Sequence, residues 1–252
     1  MAPPQGQTLD RLCRFLNSVR GTDKAMMLVQ YSSKIIIWHL KNRDPKSMMA
    51  GRIANFAGPV SDFRILLRYY GLIPLFQWII LSEKNPSPSP VIRTLTRLQN
   101  LVNVIYYPFE HVYWLGLHQV IPISEKTRDK IGMWSCRFWA AYVLLYFYQL
   151  FEEKRMLDVR RYNLKRIASA SKTSAANEMD MAGMPDAADI KAERFAIREE
   201  SKALAINTLI NAAYLPLTIH WSLETSSFPD IGVGLLGTVA AVAQIYTAWR
   251  ST

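Results

Sequence analysis

The sequence predicts an all-α integral membrane protein, with N-terminal amphipathic helices followed by C-terminal transmembrane helices. Three observations carry this reading. Half of the 252 residues are hydrophobic, and they gather into long runs with few charges. The runs keep helical spacing, and no alternating strand pattern interrupts them. Lys and Arg outnumber Asp and Glu by 30 to 20, a net charge of +10. A basic balance beside apolar runs points to an anionic partner, a lipid surface before a nucleic acid.

The first third reads as amphipathic helices. Leu12, Cys13, Leu16 and Val19 share one face, and Asp10, Arg11, Arg14 and Asn17 the other. Gly21 interrupts, and Thr22 is expected to cap a second helix to about Lys41. That helix has a narrow polar stripe, Asp23, Gln30, Lys34 and Lys41, so it must be buried in protein or in lipid. Gly58 and Pro59 are expected to open the next helix. Ser61, Arg64, Arg68 and Gly71 fall on one stripe of it, and Phe63, Leu66, Leu67, Tyr70 and Ile73 on the other. Pro74 ends or kinks it. The uncharged run 69–82 is shorter than the ~20 residues of a spanning helix, so it reads as interfacial or re-entrant.

These features divide the chain into a cytosol-facing amphipathic region (1–84), a Pro/Ser linker (85–92), membrane-associated helices (93–151), a basic stretch with a flexible cytosolic loop (152–202) and a transmembrane hairpin (203–252). Residues 101–121 carry Pro108, Glu110, His111 and His118 and make a poor span. Residues 133–151 carry the single charge Arg137. Residues 203–223 and 231–249 are the strongest spans. Residues 169–189 are expected to form a poorly ordered linker. If all four apolar segments enter the membrane, the N-terminal region, the basic loop and the tail face the cytosol. The turns near Pro122 and Glu224 then face the other side.

Several segments resemble the peroxin-eleven family. Gly21-Thr22-Asp23-Lys24 with Leu28-Val29-Gln30-Tyr31-Ser32 resembles its opening helix pair. Tyr107-Pro108-Phe109-Glu110-His111 and Trp114-Leu115-Gly116 resemble its middle block. Leu215-Pro216, His220-Trp221-Ser222 and Gly232-Val233-Gly234-Leu235-Leu236-Gly237 resemble its last block. The order is collinear, and the fungal C or gamma-like branch is the most similar. The resemblance implies a multi-pass peroxisomal membrane protein with cytosolic termini. It also implies helix insertion into an anionic phospholipid leaflet, membrane elongation and control of organelle number. The implied partners are copies of itself or paralogues, a dynamin-type fission GTPase and that enzyme's membrane receptor. The family's remodelling helix aligns with 58–81, where only Arg64 and Arg68 are basic and Pro74 interrupts.

Candidate functional residues follow. The membrane-inserting helix is assigned to Phe63, Arg64, Leu66, Leu67, Arg68, Tyr70 and Ile73, with both arginines reaching anionic headgroups. The bland alternative is a helix packed on its neighbours. Gly234, Gly237, Thr238 and Ala241 put small residues on one side of an apolar helix, which suits helix packing or self-association. The same glycines match a dinucleotide fingerprint formally, but no preceding strand or later acidic residue accompanies them. The basic run Lys154, Arg155, Arg160, Arg161, Lys165 and Arg166 follows an apolar segment, as a cytosolic membrane flank does. Glu110 is expected to pair with Arg137 inside the membrane. No catalytic constellation, cofactor motif or metal signature is visible, so no enzyme, no cofactor and no nucleic-acid partner are expected. The alternative function is a channel for small metabolites.

Overall fold

A computed structural model of the chain describes residues 5–176 and 186–251. Among them the regular structure is entirely helical, in agreement with the expected class. The helices are α1 (Gln5–Asn17), α2 (Val19–Arg43), α3 (Met48–Tyr69), α4 (Leu72–Lys84), α5 (Pro90–Leu117), α6 (Glu125–Ala176), α7 (Ala187–Ser222) and α8 (Asp230–Arg250).

Local chemistry explains most boundaries, and it shifts some of those expected. Ser18, not Thr22, caps α2: its Oγ accepts from the Gly21 N–H at 3.0 Å. Gly21 lies inside the helix. A Cβ there would stand 2.0 Å from the Phe15 carbonyl oxygen, so the α1–α2 corner needs glycine. α3 starts at Met48, ten residues before Gly58, and keeps Pro59 in its interior. A helical proline loses one donor and bends the helix without having to end it. The break comes at Tyr70 and Gly71, where α3 and α4 meet at 45°. Pro74 falls in the first turn of α4, where its missing N–H has no partner to lose. Ser89 caps α5 and Pro90 is its first residue.

The largest departure is α6, with 52 residues, about 78 Å at 1.5 Å per residue. Its second half was read as the start of a flexible loop. Residues 152–168 are instead helical, because they are rich in strong helix formers. Same-face pairs support them: Glu152 with Arg155, Lys154 with Asp158, and Asp158 with Arg161. Asp186 caps α7 by accepting from the Asp189 N–H at 2.7 Å. Residues 177–185 of the expected linker lie outside the described residues.

Six of the helices close into a ring. α2 packs on α3 and α8, α5 on α3 and α6, and α7 on α6 and α8. Neighbours run antiparallel. Lys34 of α2 faces Asp230 at the start of α8, while Arg11 and Phe15 just before α2 meet Trp249 at its end. Arg137 and Arg160 of α6 meet Ser222 and Glu193 of α7 in the same reversed order. One end of the ring therefore collects α1, the α4–α5 connection, the C-terminal residues and the outer α6–α7 hairpin. The other end collects the α2–α3, α5–α6 and α7–α8 turns. The boundary drawn at 85–92 separates no packing unit, because α2 and α3 are members of the ring.

A tight core joins α2, α7 and α8 through Met27, Tyr31, Ala213, Leu217, Val233, Ala240 and Ala241. Elsewhere large apolar side chains point outward. Phe63 and Leu66 of α3, Tyr70 at its end, Ile73, Phe76 and Trp78 of α4, Leu144 and Phe151 of α6, and Leu235, Val239 and Val242 of α8 are all exposed. Among the described residues α8 is the one helix long and apolar enough to cross a membrane by itself, and α3 with α4 qualify as a bent pair. The expected spans at 133–151 and 203–223 do not qualify. Arg137, Gln149 and the tyrosines and tryptophans lower the first, and Asn207, Asn211 and His220 lower the second.

Candidate functional site

The polar residues of these apolar helices converge inside the ring. They line a cavity of about 1160 Å³ with walls from α2, α3, α5, α6 and α7. Its chemistry starts from charges that the sequence places singly on greasy helices, Asp23 and Lys24 on α2, Arg64 and Arg68 on α3, and Glu110 on α5. A lone charge in such a setting must find a partner, because desolvation outweighs the attraction of a poorly placed one.

Antiparallel packing supplies those partners. Asp23 accepts from Arg64 Nε at 2.8 Å and from Lys24 Nζ at 2.7 Å. Arg64 also donates to Gln30 Oε1 at 2.5 Å, and Gln30 donates to Ser61 Oγ at 2.6 Å. One turn along α3, Arg68 grips Glu110 with two bonds of 2.6 Å each. Tyr106 completes that carboxylate, donating to its Oε1 at 2.7 Å. Parallel guanidinium–carboxylate bonds of this kind are among the strongest a protein makes. Arg64 and Glu110 are 7% and 8% exposed and Arg68 is half-buried, so the protein shields both pairs from bulk solvent. Three cations, Lys24, Arg64 and Arg68, share two carboxylates there.

A second cluster ties α3 to α5 nearer the turns. Trp114 Nε1 donates to Asp62 Oδ1 at 2.8 Å, and His118 Nε2 lies 2.8 Å from the same oxygen. Tyr69 stacks on His111 with ring centres 3.8 Å apart. Both histidines thus act in helix packing. No group of three or more His, Cys, Asp or Glu converges among the described residues.

The structure redistributes the expected site residues. Arg64 and Arg68 turn inward to Asp23 and Glu110, so the headgroup role expected of them is replaced by internal pairing. The ion pair expected between Glu110 and Arg137 is absent. Arg68 holds Glu110, and Arg137 donates to the Ser222 carbonyl at 3.1 Å and lies 4.8 Å over the Trp134 ring. The apolar members of the same stretch, Phe63, Leu66, Tyr70 and Ile73, do face outward, and Leu67 is half-buried.

Gly234, Gly237 and Ala241 are buried against α2 of the same chain, with Thr238 half-buried beside them. A Cβ on Gly237 would stand 2.2 Å from the Tyr31 ring, and one on Gly234 would crowd Ile35 at 3.0 Å. Their packing role is intramolecular. The basic run is partly consumed by acids. Lys154 and Arg155 pair within α6, Arg160 bridges Glu193 and Glu200 of α7, and Arg161 reaches Asp158 and Ser201. Lys165 and Arg166 are exposed. Near the foot of the hairpin Glu199 accepts from Lys202 and Arg250. Those hydrogen bonds hold its carboxyl down at about 2.

Asp23, Lys24, Gln30 and Tyr106 were not singled out as site residues. The available signal was the isolation of Asp23 and Gln30 on an otherwise apolar helix.

A family model described as Peroxisomal biogenesis factor 11 (PEX11) matches residues 9–249. The chain belongs to this family. Among its relatives, an uncharacterized protein of Schizosaccharomyces pombe is 28% identical over 210 residues, covering 83% of this chain and 82% of that one. Peroxisomal membrane protein 11C of Homo sapiens is 23% identical over 253 residues, covering 97% and 95%. Peroxisomal membrane protein 11B of Arabidopsis thaliana is 30% identical over 128 residues, about half of each chain (51% and 53%). No solved structure matches.

Proposed function

We propose that the chain is a non-enzymatic peroxisomal membrane protein that elongates the membrane and promotes its division. Family membership and the relatives named peroxisomal membrane proteins support the location. The observation that carries the mechanism is the inverted polarity of the ring, with ion pairs inside and Phe, Trp, Leu and Ile outside. Such a surface is costly in water and favourable in lipid. Helices too polar to cross a bilayer singly then cross it together, because their polar stripes face the cavity. In this arrangement the termini and the basic α6–α7 hairpin share the cytosolic side, where Lys165 and Arg166 meet anionic headgroups.

The bent α3–α4 pair supplies the wedge. Its outward Phe63, Leu66, Tyr70, Ile73 and Trp78 occupy space in one leaflet and favour curvature. Association with copies or paralogues, and recruitment of a dynamin-type fission GTPase through its membrane receptor, would concentrate that curvature. The test is imaging of peroxisomes after deletion, after overexpression, and after expression of the triple variant Leu66→Ser, Ile73→Ser, Trp78→Ser. These side chains are outside the core, so the variant is expected to insert and yet fail to elongate the organelle. Normal elongation by an inserted triple variant would remove the wedge.

The cavity favours a second reading, a channel for small metabolites. Its measurement is conductance of purified full chain in planar bilayers. Absence of unitary currents would exclude it.

A further inference from the structure

The interior network leaves one cation short of a partner. Asp23 serves both Arg64 and Lys24, and Glu110 is filled by the Arg68 fork and the Tyr106 hydroxyl. Lys24 Nζ, its side chain 17% exposed, spends one hydrogen bond on Asp23 and has no other partner among the described residues. It lines the cavity. An ammonium carries three donors, and a desolvated positive charge without a full counter-charge is costly. Toward the α5–α6 turn the cavity wall adds Lys126 and Lys130, both exposed, with Asp129 paired to Arg128 and the exposed Glu224 also on the wall. The wall between is aromatic, with Tyr107, Trp139 and Tyr214 on it.

We propose that this cavity binds a phosphate ester with an apolar body, its phosphate held by Lys24 and drawn in past Lys126 and Lys130. The choice of phosphate follows from which cations still have donors to give. Both guanidinium forks, which suit carboxylate and phosphate alike, are engaged by the protein's own side chains. The cations with donors to spare are ammoniums, point charges that bind phosphate without a planar partner. The aromatic wall and the cavity volume accommodate an acyl or alkyl portion beside it. The same chemistry fits the headgroup of a membrane phospholipid or a free alkyl phosphate. The proposal concerns ligand binding alone and stands whether or not the chain elongates membranes.

The test uses the purified full chain in an uncharged detergent, titrated calorimetrically with dihexanoyl phosphatidate, hexyl phosphate and neutral dihexanoylglycerol. Saturable binding of at least one phosphate compound is expected, with none for the neutral lipid. Phosphatidate alone identifies a lipid headgroup as the source, and hexyl phosphate identifies a free ester. Lys24→Met is expected to weaken binding about tenfold, the loss of one charge-assisted hydrogen bond. Its melting temperature without ligand is expected to equal or exceed that of the natural chain, since an incompletely compensated cation has been removed. Lys191→Met, on the exposed face of α7, is expected to bind normally. Equal affinity for the neutral lipid, or unaltered binding by Lys24→Met, overturns the proposal. If Lys24→Met does not fold, the pair Lys126→Met, Lys130→Met at the exposed mouth decides. A severalfold loss supports the site, and no loss overturns it.

Discussion

The interior of the ring and the outer α6–α7 hairpin use the same chemistry in opposite settings. Inside, Arg68 and Glu110 form a two-bond pair among apolar helices. On the hairpin, Arg160 lies between Glu193 and Glu200 at similar distances of 2.8 and 2.6 Å, with its side chain 42% exposed. Geometry does not separate the two; water does. An exposed pair exchanges good hydration for an equivalent contact, so its net worth is small. A buried pair has no hydration to return to, so removing one partner strands the other. The ring's charges therefore set its architecture, and the hairpin's charges tune a surface.

Breaking the interior pair should give the largest effect. Arg68→Ala is expected to cost about 3–5 kcal/mol, read as early thermal unfolding in detergent. The double change Arg68→Met with Glu110→Leu is expected to recover most of that loss, because no charge is stranded. Recovery sharpens the contrast, and a cost equal to the single change would contradict it. Gly237→Ile comes next. It drives a side chain into the Tyr31 ring and is expected to cost about 1–3 kcal/mol by overpacking. Self-association measured by crosslinking is expected to change only as far as folding does, since this face is filled by the chain's own α2.

On the hairpin, Arg160→Ala is expected to cost less than about 1 kcal/mol, and high salt should erase most of that. A loss comparable to that of Arg68→Ala would dissolve the distinction between the regions. The smallest effect concerns Glu199, whose carboxyl is held down at about 2 by Lys202 and Arg250. A depressed carboxyl stabilises above its unfolded value near 4.5, and that contribution is lost as pH falls through the folded value. The contact between α7 and the end of α8 should therefore weaken between about pH 4.5 and 2, and Glu199→Gln should remove the dependence. Hydrogen exchange at the α8 C-terminus reads this.

Much of the fold was legible in the sequence. Helical spacing, a break in the α3–α4 region and the uncharged stretch 231–249 follow from local rules, whereas Ser89 and Pro90, expected in a linker, open α5. The length of α6 was legible in its helix formers and same-face pairs, but the Ala, Ser and Met content after residue 168 read as a linker. The interior site was harder. The polar stripe Ser61, Arg64, Arg68 on α3 is visible, but nothing local says whether it faces headgroups or a neighbouring helix. Its partners Asp23 and Glu110 lie 41 and 42 residues away in sequence. That a buried Glu110 needs a cationic partner follows from its setting, but sequence alone does not separate Arg68 from Arg137, because an α3 lying on the membrane surface would keep Arg68 away. A stripe of small residues is equally silent about which helix it seats, and here α8 seats α2.

The central claim is the inverted polarity of the ring in a bilayer. Two single-tryptophan versions test it, one retaining Trp78 on the outer face of α4 and the other Trp139 on the cavity wall. Reconstituted into vesicles of acyl-brominated lipid, Trp78 fluorescence should be strongly quenched and Trp139 fluorescence largely spared. Equal quenching of both, or quenching of Trp139 alone, would contradict a ring that turns its apolar faces to lipid and keeps its charges within.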